Sequence, residues 1–256
     1  MSAPSSTPAR NIIIFGSTGC GKSSVINMLR GEDIAPVSSG ARGCTFESKA
    51  YRVTIDGEEY QVHDTTGLDE GDAGRVSSKD AILKLYQLLR NLQDGVALLV
   101  YCMRGPRLTG AIQRNYSTFY DGFFRKEVPI VVVVTGLEDV EPMMESWWTD
   151  GDEPGRIAFA KYNMHFDGHA CITASRGKRN RNQEEYEESK EVLRQLIADK
   201  HQKGQPWKME TMPWFISVLK WLGFFVPFGW IRNLYGILKQ FLPESDAKEI
   251  AAQVNT

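Results

Sequence analysis

The sequence predicts an α/β fold: a mainly parallel six-stranded sheet with one antiparallel edge, helices on both faces, and a helical, hydrophobic C-terminal appendage. Three observations predict it. Short apolar runs recur at 12–15, 95–101 and 128–134, as in strands buried on both faces. Segments of helical period lie between and after them. Asp56-Gly57 sits between two alternating runs, the strongest short-range hairpin signal, and supplies the antiparallel edge.

The first run, Ile12 to Phe15, leads into GSTGCGKS at 16–23, which fits G-x-x-x-x-G-K-[ST] at every fixed position. Gly16, Gly19 and Gly21 lack a Cβ, so the backbone of Ser17, Thr18 and Cys20 can turn its N–H groups inward around a polyphosphate. Lys22 is placed to neutralise β/γ-phosphates and Ser23 to offer a hydroxyl to Mg²⁺. The helix starting there, with Ser24 in its first turn and Val25, Ile26, Met28 and Leu29 on its apolar face, points its positive end at the anion. A helix end near Gly31 gives way to a long loop, 31–49, of the kind that is functional or mobile inside a compact domain. Thr45, just before the next strand, is its candidate ligand for Mg²⁺ and the γ-phosphate.

The hairpin strands occupy 50–63, and Asp64-Thr-Thr-Gly67 follows the second of them. An aspartate at a strand end can hold Mg²⁺ through water, and Gly67 can offer its N–H to a γ-phosphate. Residues 79–92 and 110–124 read as helices, the latter rich in aromatics, and Asn182 to Lys200 as an amphipathic closing helix through Tyr186, Val192, Leu193, Leu196 and Ile197. Arg104 and Arg107 follow the strand ending near 101, on the sheet edge where α/β proteins bind ligands.

With 42% hydrophobic and 24% charged residues the 256-residue chain can bury a sizeable core, and a net charge of −2 provides no global field for nucleic acid. Cys20, Cys44, Cys102 and Cys171 lack C-x-x-C or zinc spacing, which argues for free thiols in a reducing compartment and no cysteine metal site. Residues 1–10 contain no apolar core of a signal peptide and read as a disordered tail.

GSTGCGKSSVINML, GCTFES, HDTTGLDEG, ALLVYCMRGPR, VPIVVVVTGLED and ACITASRGK, spread over 11–178, together resemble a GTPase of the translation-factor-related class. The resemblance is strongest to the branch holding the septins, the immune-associated GTPases and the chloroplast-envelope import receptors, especially fungal "G domain-containing" proteins. It implies a Ras-like P-loop NTPase fold with a G domain over 11–203, GTP or GDP as ligand, Mg²⁺ as cofactor, and two domains facing each other across their nucleotides as a homodimer. It also locates the base-reading loop after the 128–134 strand. There the usual N-K-x-D is replaced by Thr135-Gly136-Leu137-Glu138, followed by Asp139. A carboxylate separates guanine from adenine, because adenine's unprotonated N1 leaves it unpaired. Glu138 keeps that group, Asp139 supplies it after a one-residue shift, and the lost Asn and Lys remove the usual brace and cover. Thr173 and Ala174, after the strand at 169–172, match the loop that gives a backbone N–H to guanine O6. Leu68 stands where small GTPases place a water-orienting Gln, which implies slow unaided hydrolysis, with Arg104, Arg107 and Asp69 as polar groups a second subunit could bring. Trp147-Trp148 has two readings, a cover for the base or a partner, and packed aromatic surface.

Residues 204–256 are compositionally distinct. Pro213 to Ile231 carries one charge, Lys220, and is dense in Trp and Phe, while Ile231, Leu234, Tyr235, Leu238, Phe241 and Leu242 share one helical face. Packing back on the domain, a dimer contact, and membrane attachment through 213–242 all fit this pattern. The whole reads as a cytoplasmic guanine-nucleotide switch or scaffold with Mg-dependent GTPase activity. Two other classes stay open: a scaffold that binds nucleotide without hydrolysing it, and a P-loop small-molecule kinase, for which the short inter-motif lengths leave no lid.

Overall fold

The computed structural model describes residues 10–31, 49–65, 88–92, 94–107, 110–201 and 205–210, together with Trp214, Gly236, Lys239 and four residues between 244 and 248. Cys44, Thr45, Gly67, Leu68, Asp69, residues 1–9, residues 79–87 and most of 213–242 lie outside the described residues.

Six strands form one sheet: β1 (Arg10–Phe15), β2 (Lys49–Ile55), β3 (Glu58–Asp64), β4 (Val96–Arg104), β5 (Ile130–Thr135) and β6 (Gly168–Cys171). Their order is β2-β3-β1-β4-β5-β6, and every neighbouring pair is parallel except the β2–β3 hairpin. Asp56 and Gly57 turn that hairpin with φ of 50° and 81°, the double positive-φ conformation an Asp-Gly pair tolerates. The apolar runs are continuous because both faces are covered. Ile13, Phe15, Leu99, Tyr101, Val132 and Val134 enter one core, while Ile12, Ile14, Leu98, Val100, Val131 and Val133 enter the other.

The second core is closed by α1 (Lys22–Arg30) through Val25, Ile26, Met28 and Leu29, and by α5 (Gln183–Lys200). Gly31, at φ 74°, ends α1 by donating its N–H to Asn27 O at 2.9 Å, as a left-handed C-cap does. On α5 the buried stripe runs through Tyr186, Ser189, Leu193, Leu196 and Ile197. Val192, which the apolar pattern counts with that stripe, is instead 50% exposed, because the 3.6-residue period puts Ser189 rather than Val192 over the core.

The first core is closed by α2 (Gly110–Tyr116) continuing as a π-helical turn over Ser117–Phe123, through Tyr116, Phe119 and Phe123. Two short helices, α3 (Ser146–Thr149) and α4 (Gly155–Lys161), link β5 to β6. Trp147 and Trp148 pack there against Phe159, at centroid distances of 6.0 and 5.6 Å, so packing accounts for the pair. Trp148 also stacks on His169 at 4.1 Å.

Described residues beyond 204 join the same core. Trp207 forms a two-bond antiparallel bridge with Val96, at 2.7 and 3.0 Å, at the foot of β4. Gly95 is required there, since a Cβ would lie 2.6 Å from Trp207 O. Trp214 is 1% exposed and donates Nε1–H to Phe123 O at 2.7 Å. Ala247 is also buried in this core. Among the described residues no helix is long and apolar enough to cross a membrane.

Candidate functional site

The carboxyl ends of β1, β3, β4 and β5 converge on one edge of the sheet, and the loops leaving them form the site. Gly16, Gly19 and Gly21 have φ of 140°, 78° and 97°, so all three motif glycines use backbone that side chains disfavour. Gly16 has a second constraint: a Cβ would sit 1.9 Å from Cys102 O. The loop therefore rests directly on the end of β4. Gly21 caps α1 without any side-chain hydrogen bond, which leaves the first-turn N–H groups of Lys22, Ser23 and Ser24 for an anion. Ser17, Thr18, Gly19 and Cys20 complete the loop, with a Cys20 N–H to Ser17 O bond of 3.2 Å folding it into a turn. Lys22 Nζ donates to Gly16 O at 2.6 Å and Ser17 O at 3.1 Å, arching over the loop. An ammonium has three donors, so one remains for a phosphate oxygen.

Beneath the loop, Cys20 and Cys102 are buried side by side, and Cys102 Sγ donates to Cys20 O at 3.3 Å. A thiol–thiol hydrogen bond lowers Cys20 and raises Cys102 from the ordinary thiol value, with Lys22 adding to the lowering. Among the described cysteines, Cys20, Cys102 and Cys171 are free. Burial, then the Glu145 carboxylate, pushes the Cys171 thiol up to about 12, so it is inert as a nucleophile.

Asp64 ends β3 opposite Ile14, 5% exposed, and its charge is felt at both Cys20 and Cys102. The neighbouring Thr65 donates its hydroxyl to Ile14 O at 2.9 Å and its N–H to the same oxygen at 3.2 Å, which pins the start of the Asp64–Gly67 segment beside the phosphate loop. Asp64 and Lys22 thus both act on Cys20 in the phosphate loop, while Thr45 and Gly67 fall outside the described residues.

On the other side of the phosphate loop, Thr135 ends β5 and donates Oγ1–H to Cys20 O at 2.7 Å. This restores a brace that the missing asparagine of the base motif would have provided. Thr135 is 3% exposed and acts through the loop. Glu138 and Asp139 separate sharply. Glu138 Oε2 is fully buried and, among the described residues, has no hydrogen-bond partner, whereas the Asp139 side chain is 88% exposed and pairs with Arg181 at 3.6 Å. Thr173 is fully buried with both donors consumed: its N–H goes to Ser189 Oγ at 3.1 Å and its hydroxyl to Ser175 O at 3.1 Å. These bonds stitch its own loop together, and the neighbouring Ala174 is partly exposed.

Residues 11–135 match the family model described as 50S ribosome-binding GTPase. Those residues carry a P-loop GTPase domain. Its folded core is a GTP-binding G domain, related to immune-associated nucleotide-binding proteins. Immune-associated nucleotide-binding protein 10 of Arabidopsis thaliana is 32% identical over 140 residues, 53% of this GTPase and 29% of that protein. For number 7 of the same series the identity is 30% over 145 residues, covering 56% of the GTPase and 46% of the relative. The GTPase therefore spans less than half the length of these curated relatives. Among solved structures, Toc33 from Arabidopsis thaliana in complex with GDP and Mg²⁺ has a TM-score of 0.54 at 19% identity, covering 76% of the GTPase and 87% of Toc33. That is a likeness of fold.

Sequence reading of this GTPase misses two loop supports. Asn115, on α2, donates Nδ2–H to Ser17 Oγ at 3.0 Å, and Thr65 anchors the β3 end. Asn115 lies almost a hundred residues along the chain from Ser17 and belongs to no motif, so nothing local signals it. Thr65 sits inside DTTG, where the x position draws no attention.

Proposed function

We propose that this GTPase binds GTP and GDP with Mg²⁺, reads guanine through Glu138, and hydrolyses GTP slowly as a switch or scaffold. The observation that carries the reading is the fully buried, unpartnered Glu138 Oε2 at the end of β5. A buried carboxylate oxygen without a donor is costly, and the N1–H and N2–H₂ edge of guanine offsets that cost where adenine cannot. Phosphates sit on the loop from Gly16 to Gly21, the α1 N-terminus and Lys22.

Ser23 and Asp64, with Thr45, are the residues that would hold Mg²⁺. Hydroxyl and carboxylate oxygens are the hard donors that this ion prefers, and Asp64 is held beside the loop by the Thr65 contacts. Bound there, the ion would neutralise charge on the β- and γ-phosphates. Gly67 donates to the γ-phosphate. Leu68 cannot orient water, so unaided turnover falls on the order of 10⁻⁴ s⁻¹ or below. Pairing of two domains across their nucleotides would supply polar groups in trans, and the relative Toc33 is described in a dimerization-deficient variant. Attachment to a cytoplasmic membrane face through 213–242 is part of the same reading, supported by the composition of that stretch, with Trp214 itself held in the core.

The test starts with chromatography of nucleotide released from the denatured purified protein; guanine nucleotide is expected, and adenine nucleotide rejects the base assignment. Lys22→Ala should then weaken GTP·Mg²⁺ binding more than tenfold, above about 1.4 kcal/mol, by titration calorimetry. Glu138→Ala should relax the preference for GTP over ATP. If discrimination survives that change and collapses in Asp139→Ala, the reader is the exposed carboxylate.

A further inference from the structure

The base motif of this GTPase lacks its lysine, and position 136 is a glycine. We propose that Arg104, from the neighbouring strand, covers the face of the bound nucleobase in place of that missing side chain. The inference rests on the guanine reading given above and extends it to a second contact. Gly136 has φ of 75°, and a Cβ built on it would meet Arg104 Cγ and Nε at 3.3 Å and Cζ at 3.5 Å. The space that a side chain at 136 would enter is thus already filled by the stem and guanidinium of Arg104.

The placement follows from strand register. Arg104 is the last residue of β4 and lies directly across from Thr135 on β5. Residues two apart on a strand share a face, so Arg104 is on the face of Cys102, whose thiol reaches the phosphate loop at Cys20. The guanidinium lies against Gly136, at the start of the loop that carries Glu138. Gly105 keeps the two strand ends close: its N–H donates to Thr135 O at 2.8 Å, and a Cβ there would lie 2.5 Å from Leu137 Cδ2.

Arg104 is exposed and, among the described residues, makes no ion pair or hydrogen bond. Its planar, always-charged guanidinium is free to stack on an aromatic face, which an ammonium on a flexible stem does less well. Glu138 would read the edge of the purine and Arg104 would cover its plane. The two strand ends then carry jointly what a single N-K-x-D segment carries elsewhere, which explains how the chain keeps a base site with a glycine in the lysine position.

The experiment compares the full-length wild type with Arg104→Ala and Arg104→Lys, using GDP and, as a base-free probe, inorganic tripolyphosphate, each with Mg²⁺. Arg104→Ala is expected to weaken GDP about tenfold while leaving tripolyphosphate binding unchanged, with Arg104→Lys between them. The loss should be independent of protein concentration. Equal losses for both ligands would make Arg104 a phosphate contact and overturn the proposal, as would an unchanged GDP affinity. A loss that appears only at concentrations where the protein dimerises would place the contact in a partner subunit and overturn it too. If the wild type itself fails to bind GDP but binds tripolyphosphate, the guanine reading falls and the proposal with it. Thermal melting of the variants checks that an exposed side chain was removed without loss of fold.

Discussion

The phosphate loop and the base loop meet on the same sheet edge, where Thr135 bonds Cys20 O, yet they are built in opposite ways. The phosphate loop is complete within eight residues: three left-handed glycines, a lysine arching over the backbone, and an uncapped helix start. The base loop has lost the asparagine and lysine of its three fixed motif residues, keeps only a carboxylate at the third, and is rebuilt from outside. Thr135 braces it to Cys20 O, and Glu138 buries one carboxylate oxygen. The lesson is that a contiguous motif tolerates little change because its parts share one backbone. A dispersed site can exchange parts, since any neighbouring strand that ends in the right place can supply them.

Substitution of the two glycines breaks this comparison most directly. Gly16→Ala forces a Cβ into Cys102 O at 1.9 Å, a backbone clash with no flexible neighbour to yield. A loss of more than about 4 kcal/mol is expected, seen as a fall of about 10 °C or more in melting temperature together with loss of nucleotide binding. Gly136→Ala meets only the 3.3 Å contacts of a movable arginine stem and the strain of its positive φ, so about 1–2 kcal/mol is expected. Equal effects at the two positions would dissolve the distinction between the loops.

A control far from both loops separates folding from binding. Trp214→Ala empties a fully packed site and leaves Phe123 O without its donor, which should cost about 3–5 kcal/mol in denaturant unfolding. Guanine-over-adenine preference should not change. Removal of 205–256 deletes both Trp207 and Trp214 and should destabilise the domain at least as much. A truncated protein of undiminished melting temperature would show that the appendage is energetically separate.

The smallest expected effect sharpens the account of the brace. Thr135→Val keeps the shape and removes the donor to Cys20 O, for a stability loss of about 1–2 kcal/mol, with Thr135→Ser restoring most of it. GTP and tripolyphosphate affinities should weaken together, since the brace acts on the phosphate loop. A selective loss of GTP would instead mean that Thr135 touches the base.

How much was legible in the amino-acid order follows the same division. The strand runs, the Asp56-Gly57 hairpin, the phosphate loop and Asp64 could be read locally, because period-2 and period-3.6 apolar patterns and positive-φ glycines are properties of neighbouring residues. Pattern misled at Val192, where two alternative helical stripes differ by a small rotation and only packing chooses between them. Tertiary structure alone sets Glu138 apart from Asp139, since adjacent carboxylates look alike in order and the fold buries an oxygen of the first while leaving the second exposed. It alone brought Asn115 to Ser17, Thr135 to Cys20 and Arg104 to Gly136, contacts between residues distant in the chain that strand order and register make neighbours. The aromatic stretch near the C-terminal end was ambiguous for the same reason. Tryptophan is equally suited to a core and to a bilayer interface, and for Trp207 and Trp214 the choice was made by a partner carbonyl and a packed ring waiting on the sheet.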